Sequence, residues 1–127
     1  MVQIVFSTAD LAGRILLVAI FALESWIKLG NVSGTLAYMA KFSLPGWTLA
    51  PALIVEIGGA LLVAIGWNTR LAAFALSGFC LVTAAIFHTN FASANEQLHF
   101  WKDVSMAGGF LVLFAHGAGA WSLDNRR

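Results

Sequence analysis

Apolar residues run along this chain in four long blocks divided by polar breaks, and the length of the blocks sets the first expectation. A bilayer core about 30 Å thick takes about 20 mostly apolar residues to cross as a helix. Four segments of that size stand out: Leu11 to Leu29, Leu49 to Trp67, Leu71 to His88, and Lys102 to Trp121. The pattern predicts an all-α protein, an antiparallel bundle of four transmembrane helices forming one domain over residues 1–127. Asn68, Thr69 and Arg70 alone join the second and third blocks, so those two form a tight helical hairpin. Between the first and second blocks, Leu36, Met39 and Phe42 recur at helical spacing ahead of Pro45-Gly46. That fits a short interfacial helix closed by a turn. The stretch from Thr89 to Trp101 is polar in its middle and aromatic at its edges (Phe91, Phe100, Trp101), as interfacial anchors are. Ile15 to Leu23 resembles the apolar core of a signal peptide. No Lys or Arg precedes Arg14, however, and the run continues past Glu24, so a retained first span is expected.

Composition agrees with lipid as the solvent: 60% of the 127 residues are hydrophobic, 10% are charged, and the mean hydropathy is +0.84. Seven basic residues against six acidic give a net charge of +1, too little to hold a polynucleotide. The single cysteine, Cys80, excludes an internal disulfide framework, a CxxC redox pair and a Cys-rich metal or iron–sulfur site. Arg14, Arg70, Arg126 and Arg127 fall at the end of the bundle that holds both termini, and Lys28, Lys41 and Lys102 at the other. That asymmetry favours cytoplasmic termini.

Helices in lipid associate through close packing of small residues. Such residues share a face in the second block (Ala52, Glu56, Gly59, Val63, Gly66), the third (Ala73, Ser77, Cys80, Ala84, His88) and the fourth (Ser105, Gly109, Leu113, His116). Further Gly and Ala stripes leave room for a homo-oligomer. Near mid-span, the Cys80 sulfur is expected to be inert.

An ionised side chain at a helix centre costs about 2.5 to 3.5 kcal/mol on insertion, so each one within a span needs a reason. The first block carries Arg14, Leu17, Phe21, Glu24 and Lys28 on one stripe, with Glu24 and Lys28 a favourable i, i+4 pair. Glu24 and Glu56 fall about 7 and 10 Å below the same interface at 1.5 Å per residue. His88 ends the third block on that side, His99 precedes the fourth, and Lys102 and Asp103 open it. Glu24, Lys28, Glu56, His88, Lys102 and Asp103 are therefore expected to form one polar site in the outer half of the bundle. An ion-pair clasp that fixes helix order is the plainer alternative. At the inner end Asp10, Arg14, Arg70 and Asp124 can form ion pairs, and Arg14 can also snorkel to the headgroups. His116 reads as an interhelical donor. No metal site is expected, because the His and Glu residues lack HxxE or HxxxH spacing.

Motifs in order along the chain resemble those of the DoxX family of small bacterial inner-membrane proteins. They are Gly13-Arg14, Phe21, Lys28, Pro45-Gly46, Glu56-x-Gly58-Gly59, Gly66 and Thr69-Arg70-Leu-Ala-Ala73, then Phe87-His88-x-Asn90-Phe91, Phe100-x-Lys102-Asp103, Gly108-Gly109-Phe110, Gly117-x-Gly119-Ala120 and Ser122-Leu123-Asp124. The resemblance implies a four-helix membrane bundle and an association with redox systems, among them thiosulfate:quinone oxidoreductases and oxidative-stress complexes. Where the family has Lys-Asn opening the last helix, this chain has Lys102-Asp103.

The expected role is an accessory or binding subunit of a quinone-linked membrane system. Its outer pocket would take a quinone-like amphipathic ligand, with Trp26, Trp47, Phe91 and Trp101 available to stack on the ring. A partner redox protein would supply electrons, since the chain has no electron carrier of its own. The alternatives are a structural subunit of a larger membrane complex and a proton-coupled carrier of a small solute. Neither an internal repeat nor a broken helix supports the carrier.

Overall fold

The computed structural model describes residues 1–87 and 92–126, and among them all regular structure is helical. Five α-helices follow in chain order: α1 (Val2–Gly30), α2 (Val32–Ala40), α3 (Leu49–Ile65), α4 (Thr69–Phe87) and α5 (Ala94–His116). Single 3₁₀ turns sit at Gly46–Thr48 and Asp124–Arg126. Three of the helical stretches, Val2–Gly30, Gly46–Ile65 and Thr69–Phe87, are long and apolar enough to cross a membrane.

Several boundaries depart from the sequence reading, each for a local reason. The first helix begins at Val2 rather than Leu11. Its polar pair Ser7-Thr8 does not break it, because the Thr8 hydroxyl donates back to the Ile4 carbonyl at 2.7 Å. Most of the segment expected to be a polar connection is the first two turns of α5, where the Ser93 side chain accepts from the Glu96 amide as an N-cap. The same helix stops at His116 rather than Trp121. Gly117 and Gly119 both take positive φ there and turn the chain back beneath the bundle. His88 and Phe91 lie outside the described residues.

α5 packs along α4, α4 against α3, and α3 against α1, while α1 and α5 touch sparingly. Their close approach is at Leu17 and Gly109, where a Cβ on the glycine would sit 2.9 Å from a Leu17 methyl. One turn on, Phe21 joins Phe110 and Phe79 in a tilted aromatic cluster, with ring centroids 5.7 and 6.3 Å away. Around it lies the core: Val18, Val63, Ala73, Leu76, Cys80 and Ala107 are buried. The buried face of α5 carries Ala107 and Phe110; Ser105 and His116, expected on that face, are exposed. The bulk of Phe110, directed at Phe21, sets the rotation.

Arg14 closes the end of the bundle that holds the tail. It is 1% exposed and donates from Nη1 to the Val63 and Ala64 carbonyls at 3.0 and 3.1 Å, and from Nη2 to the Trp121 carbonyl at 2.5 Å. A helix end leaves carbonyls without partners, and in lipid no water meets them. Gly66 ends α3 in the left-handed conformation (φ 76°), and a Cβ there would collide with Ser122. The tail then runs alongside: the Leu123 amide donates to Ile65 at 3.2 Å and the Asp124 amide to Gly66 at 2.7 Å. The Asp124 carboxylate accepts from the Asn68 and Thr69 amides at 2.8 and 2.9 Å, capping α4 from 55 residues away. Replacing Arg14 by Ala strands three carbonyls at once and is expected to lower stability by about 3 kcal/mol or more, with Lys recovering part of it. Reversible unfolding in mixed micelles measures this, and wild-type stability in Arg14→Ala contradicts the assignment.

Candidate functional site

The opposite end of the bundle is built differently. There α1 and α5 diverge beyond the Phe21–Phe110 contact, and side chains from α1, α3, α4 and α5 surround a cavity of about 600 Å³. The short helix α2 closes its mouth: Thr35, Tyr38 and Met39 line the cavity, and Met39 is buried. Tyr38 stacks on Phe87 at 5.5 Å, and Phe42 meets the same ring edge-on at 4.9 Å. α2 is itself started by Asn31, whose side chain accepts from the Gly34 amide at 3.1 Å. Burial, then the nearby Glu96 carboxylate, raise the Tyr38 pKa above its ordinary value, so the hydroxyl stays neutral at physiological pH.

Within the cavity wall, Glu56 of α3 is fully buried and Lys28 of α1 reaches it with an Nζ–Oε1 distance of 2.6 Å. Ser25, one turn below on α1, contributes a longer contact of 3.4 Å to the other carboxylate oxygen. Lys28 thus bridges to another helix instead of folding back onto Glu24, because the buried Glu56 has the greater need of a counter-charge. Glu24 lines the same cavity and lies within electrostatic reach of Lys28, Glu56, Lys102 and Asp103. From α5, Glu96, His99, Lys102 and Asp103 complete the polar lining, and the Thr83 hydroxyl of α4 sits 3.5 Å from Asp103. Apolar walls come from Leu44, Leu49, Ala52, Phe79, Val82 and Ile86.

Five of the residues expected to form the outer site, Glu24, Lys28, Glu56, Lys102 and Asp103, therefore line one cavity. The sixth, His88, lies outside the described residues. Among the described residues no group of His, Cys, Asp and Glu is arranged to hold a metal ion. The expected ring-stacking tryptophans are elsewhere. Trp26, Trp47 and Trp101 are 78%, 73% and 60% exposed on the outer surface of the bundle, where amphipathic rings anchor at a membrane boundary. The aromatic surface inside belongs to Tyr38, Phe79 and Phe87. Glu96 joined the site unannounced. The motif Ser93-x-x-Glu96 is a capping signature, and a helix begun there puts Glu96, His99 and Asp103 on one stripe at i, i+3 and i+7. At the other end, Arg14 and Asp124 engage backbone groups as described above, Asp10 packs against Gly119, and Arg70 lies beside Gly117.

The molecule is thus a small helical membrane protein with a charged cavity under a short capping helix. Residues 9–89 match the DoxX family model, and the chain belongs to that family. It is 40% identical over 114 residues to inner membrane protein YqjF of Escherichia coli (strain K12), an alignment covering 90% of this chain and 88% of that protein. It is also 38% identical over 123 residues to inner membrane protein YphA of the same organism, covering 91% and 88%. No solved structure matches it.

Removing one member of the Lys28–Glu56 pair leaves a buried charge alone. Lys28→Met is expected to lose about 3 to 5 kcal/mol, whereas Lys28→Met combined with Glu56→Leu recovers most of the loss. A double-mutant cycle on unfolding in micelles checks this, and additive losses contradict the pairing.

Proposed function

We propose that this DoxX-family protein is a four-span protein of the bacterial inner membrane that binds a small amphipathic molecule in the cavity beneath α2. The observation that carries the reading is the convergence of ionisable groups from α1, α3 and α5 on one cavity of about 600 Å³ whose remaining walls are apolar. That size lies within the roughly 300 to 1,000 Å³ of small-molecule sites, and few polar groups among apolar walls is their usual composition. A clasp that only fixed helix order would need the Lys28–Glu56 bridge and no space beside it.

In this reading α5 is the fourth span, its charged first turns tolerated because Lys102 and Asp103 border the cavity instead of facing acyl chains alone. α2 lies in the outer interface and both termini are cytoplasmic, as the Lys and Arg distribution favours. The membrane named for YqjF and YphA supports the location. A cyclic head with hydrogen-bond acceptors, of which a quinone is one, would meet the ammonium groups of Lys28 and Lys102, with Phe79 and Phe87 against its ring. The chain then serves as a binding subunit beside a redox partner, which supplies the electrons.

Two measurements test the reading. A quinone analogue added to the detergent-solubilised chain should bind saturably, and Glu56→Gln should weaken it about tenfold while Trp26→Ala leaves it unchanged. Equal affinity in wild type and Glu56→Gln sinks the pocket. For topology, single cysteines in a Cys80→Ser background at Ser33 and at Asn125 should label from opposite sides of the membrane. Labelling of both from one side overturns the four-span arrangement.

A further inference from the structure

We propose that a second site, at the end of the bundle away from the capped cavity, binds the headgroup of an anionic phospholipid, with Arg70 as the residue that holds its phosphate. This inference is independent of the cavity beneath α2. Between the start of α4 and the end of α5 lies an open hollow of about 620 Å³ whose lining includes Asn68, Arg70, His116 and Asn125. The Arg70 guanidinium stands beside the turn that ends α5: a Cβ on Gly117 would come within 3.3 Å of its Nε. Among the described residues no carboxylate lies within ion-pairing distance of Arg70. That distinguishes it from Arg14, a further arginine at this end, whose Nη1 and Nη2 donate to backbone carbonyls. Asp124 also borders the hollow, but its two oxygens accept from the Asn68 and Thr69 amides, which hold its charge at the start of α4.

A guanidinium presents a planar fork of donors that matches phosphate oxygens two at a time, and His116 places a second donor across the hollow. The neighbouring surface says which source of phosphate fits. One turn along α4 from Arg70 stands Phe74, 56% exposed, in contact with the Phe114 ring of α5 at 5.3 Å, and Leu71 beside it is 71% exposed. A cation in a hollow with an exposed apolar strip leading from it towards the middle of the bundle suits a molecule that joins a phosphate to acyl chains. A free phosphate ion would leave the strip uncovered.

Native mass spectrometry of the full chain released from detergent, titrated with phosphatidylglycerol and with phosphatidylcholine, tests the assignment. The wild type should retain one phosphatidylglycerol at least about tenfold more tightly than phosphatidylcholine. Arg70→Gln should lose about tenfold or more of that affinity, and Arg70→Lys, which keeps the charge without the fork, should fall between. Lys41→Gln, at the far end of the bundle, should bind as the wild type does. Because the Arg70 side chain makes no hydrogen bond among the described residues, the melting temperature of Arg70→Gln without lipid should equal that of the wild type; should it fall, the Arg70→Lys comparison decides. Undiminished phosphatidylglycerol binding by Arg70→Gln, an equal loss in Lys41→Gln, or no preference over phosphatidylcholine would overturn the site. Displacement of the lipid by equimolar inorganic phosphate would assign the hollow to the free anion and overturn the lipid.

Discussion

Within a bilayer, every buried charge must find a partner inside the protein, and in this chain that single requirement joins α1 to α3 at both ends. Near one end the Arg14 guanidinium takes up the last carbonyls of α3, and near the other Lys28 neutralises the buried Glu56. Between these two links Leu17, Val18 and Phe21 pack by shape alone. Hydrophobic drive between helices is weak in lipid, so the polar links decide which helices are neighbours and at what height. Moving α1 by one turn, about 5.4 Å, would break both. The register of α1 against α3 is therefore held by charge and the interior fitted around it.

The two links differ in what they leave over. Arg14 is surrounded by carbonyls of α3 and of the tail, and the chain between Gly117 and Asp124 folds over it, so the guanidinium itself is enclosed. Lys28 has a carboxylate on one side and a cavity on the other. There α1 and α5 part above the Phe21–Phe110 contact, and the space between them is bordered by Glu24, Lys28, Lys102 and Asp103 and covered by α2. Two adjacent residues do much to set this division. Gly109 admits Leu17 and brings α1 and α5 together, and the larger Phe110 beside it begins their separation.

How much of this was readable in the amino-acid order follows from the range of each signal. The helices α1, α3 and α4 announce themselves by long apolar runs, and the stripe from Arg14 through Phe21 to Lys28 by its period. The convergence of Glu24, Lys28, Glu56, Lys102 and Asp103 follows from counting depth along antiparallel helices, which needs only the rise per residue. What escaped was decided by contacts distant in sequence. Lys28 has Glu24 as its sequence neighbour and Glu56 as its partner, since burial makes the more distant carboxylate the more demanding one. Asp124 caps a helix 55 residues earlier, a relation no local pattern carries. The polar stretch before Lys102 belied its helical state because charge there faces a cavity, although Ser93-x-x-Glu96 marked the start. The tryptophans misled for the converse reason: an aromatic ring near a membrane boundary suits a ligand and an anchor equally well, and only exposure separates the two.

That last ambiguity bears on how the family's motifs are to be understood. Glu56-x-Gly58-Gly59, Thr69-Arg70 and Lys102-Asp103 are spread over three helices, yet they fall at the two ends of one small bundle. Gly59 receives Leu76 and lets α3 approach α4, which places Glu56 deep enough to be wholly buried and so dependent on Lys28. A motif that pairs a small residue with an acid three positions earlier thus couples helix spacing to charge burial. Enlarging Gly59 would push α4 away and admit solvent or lipid to Glu56, so packing and site chemistry cannot be separated there. At Arg70, by contrast, the side chain is exposed beside the hollow at the opposite end, with no ion pair among the described residues. The two positions illustrate opposite placements of an ionisable residue in one small bundle: Glu56 is buried in the wall of a cavity, and Arg70 is exposed at the other end.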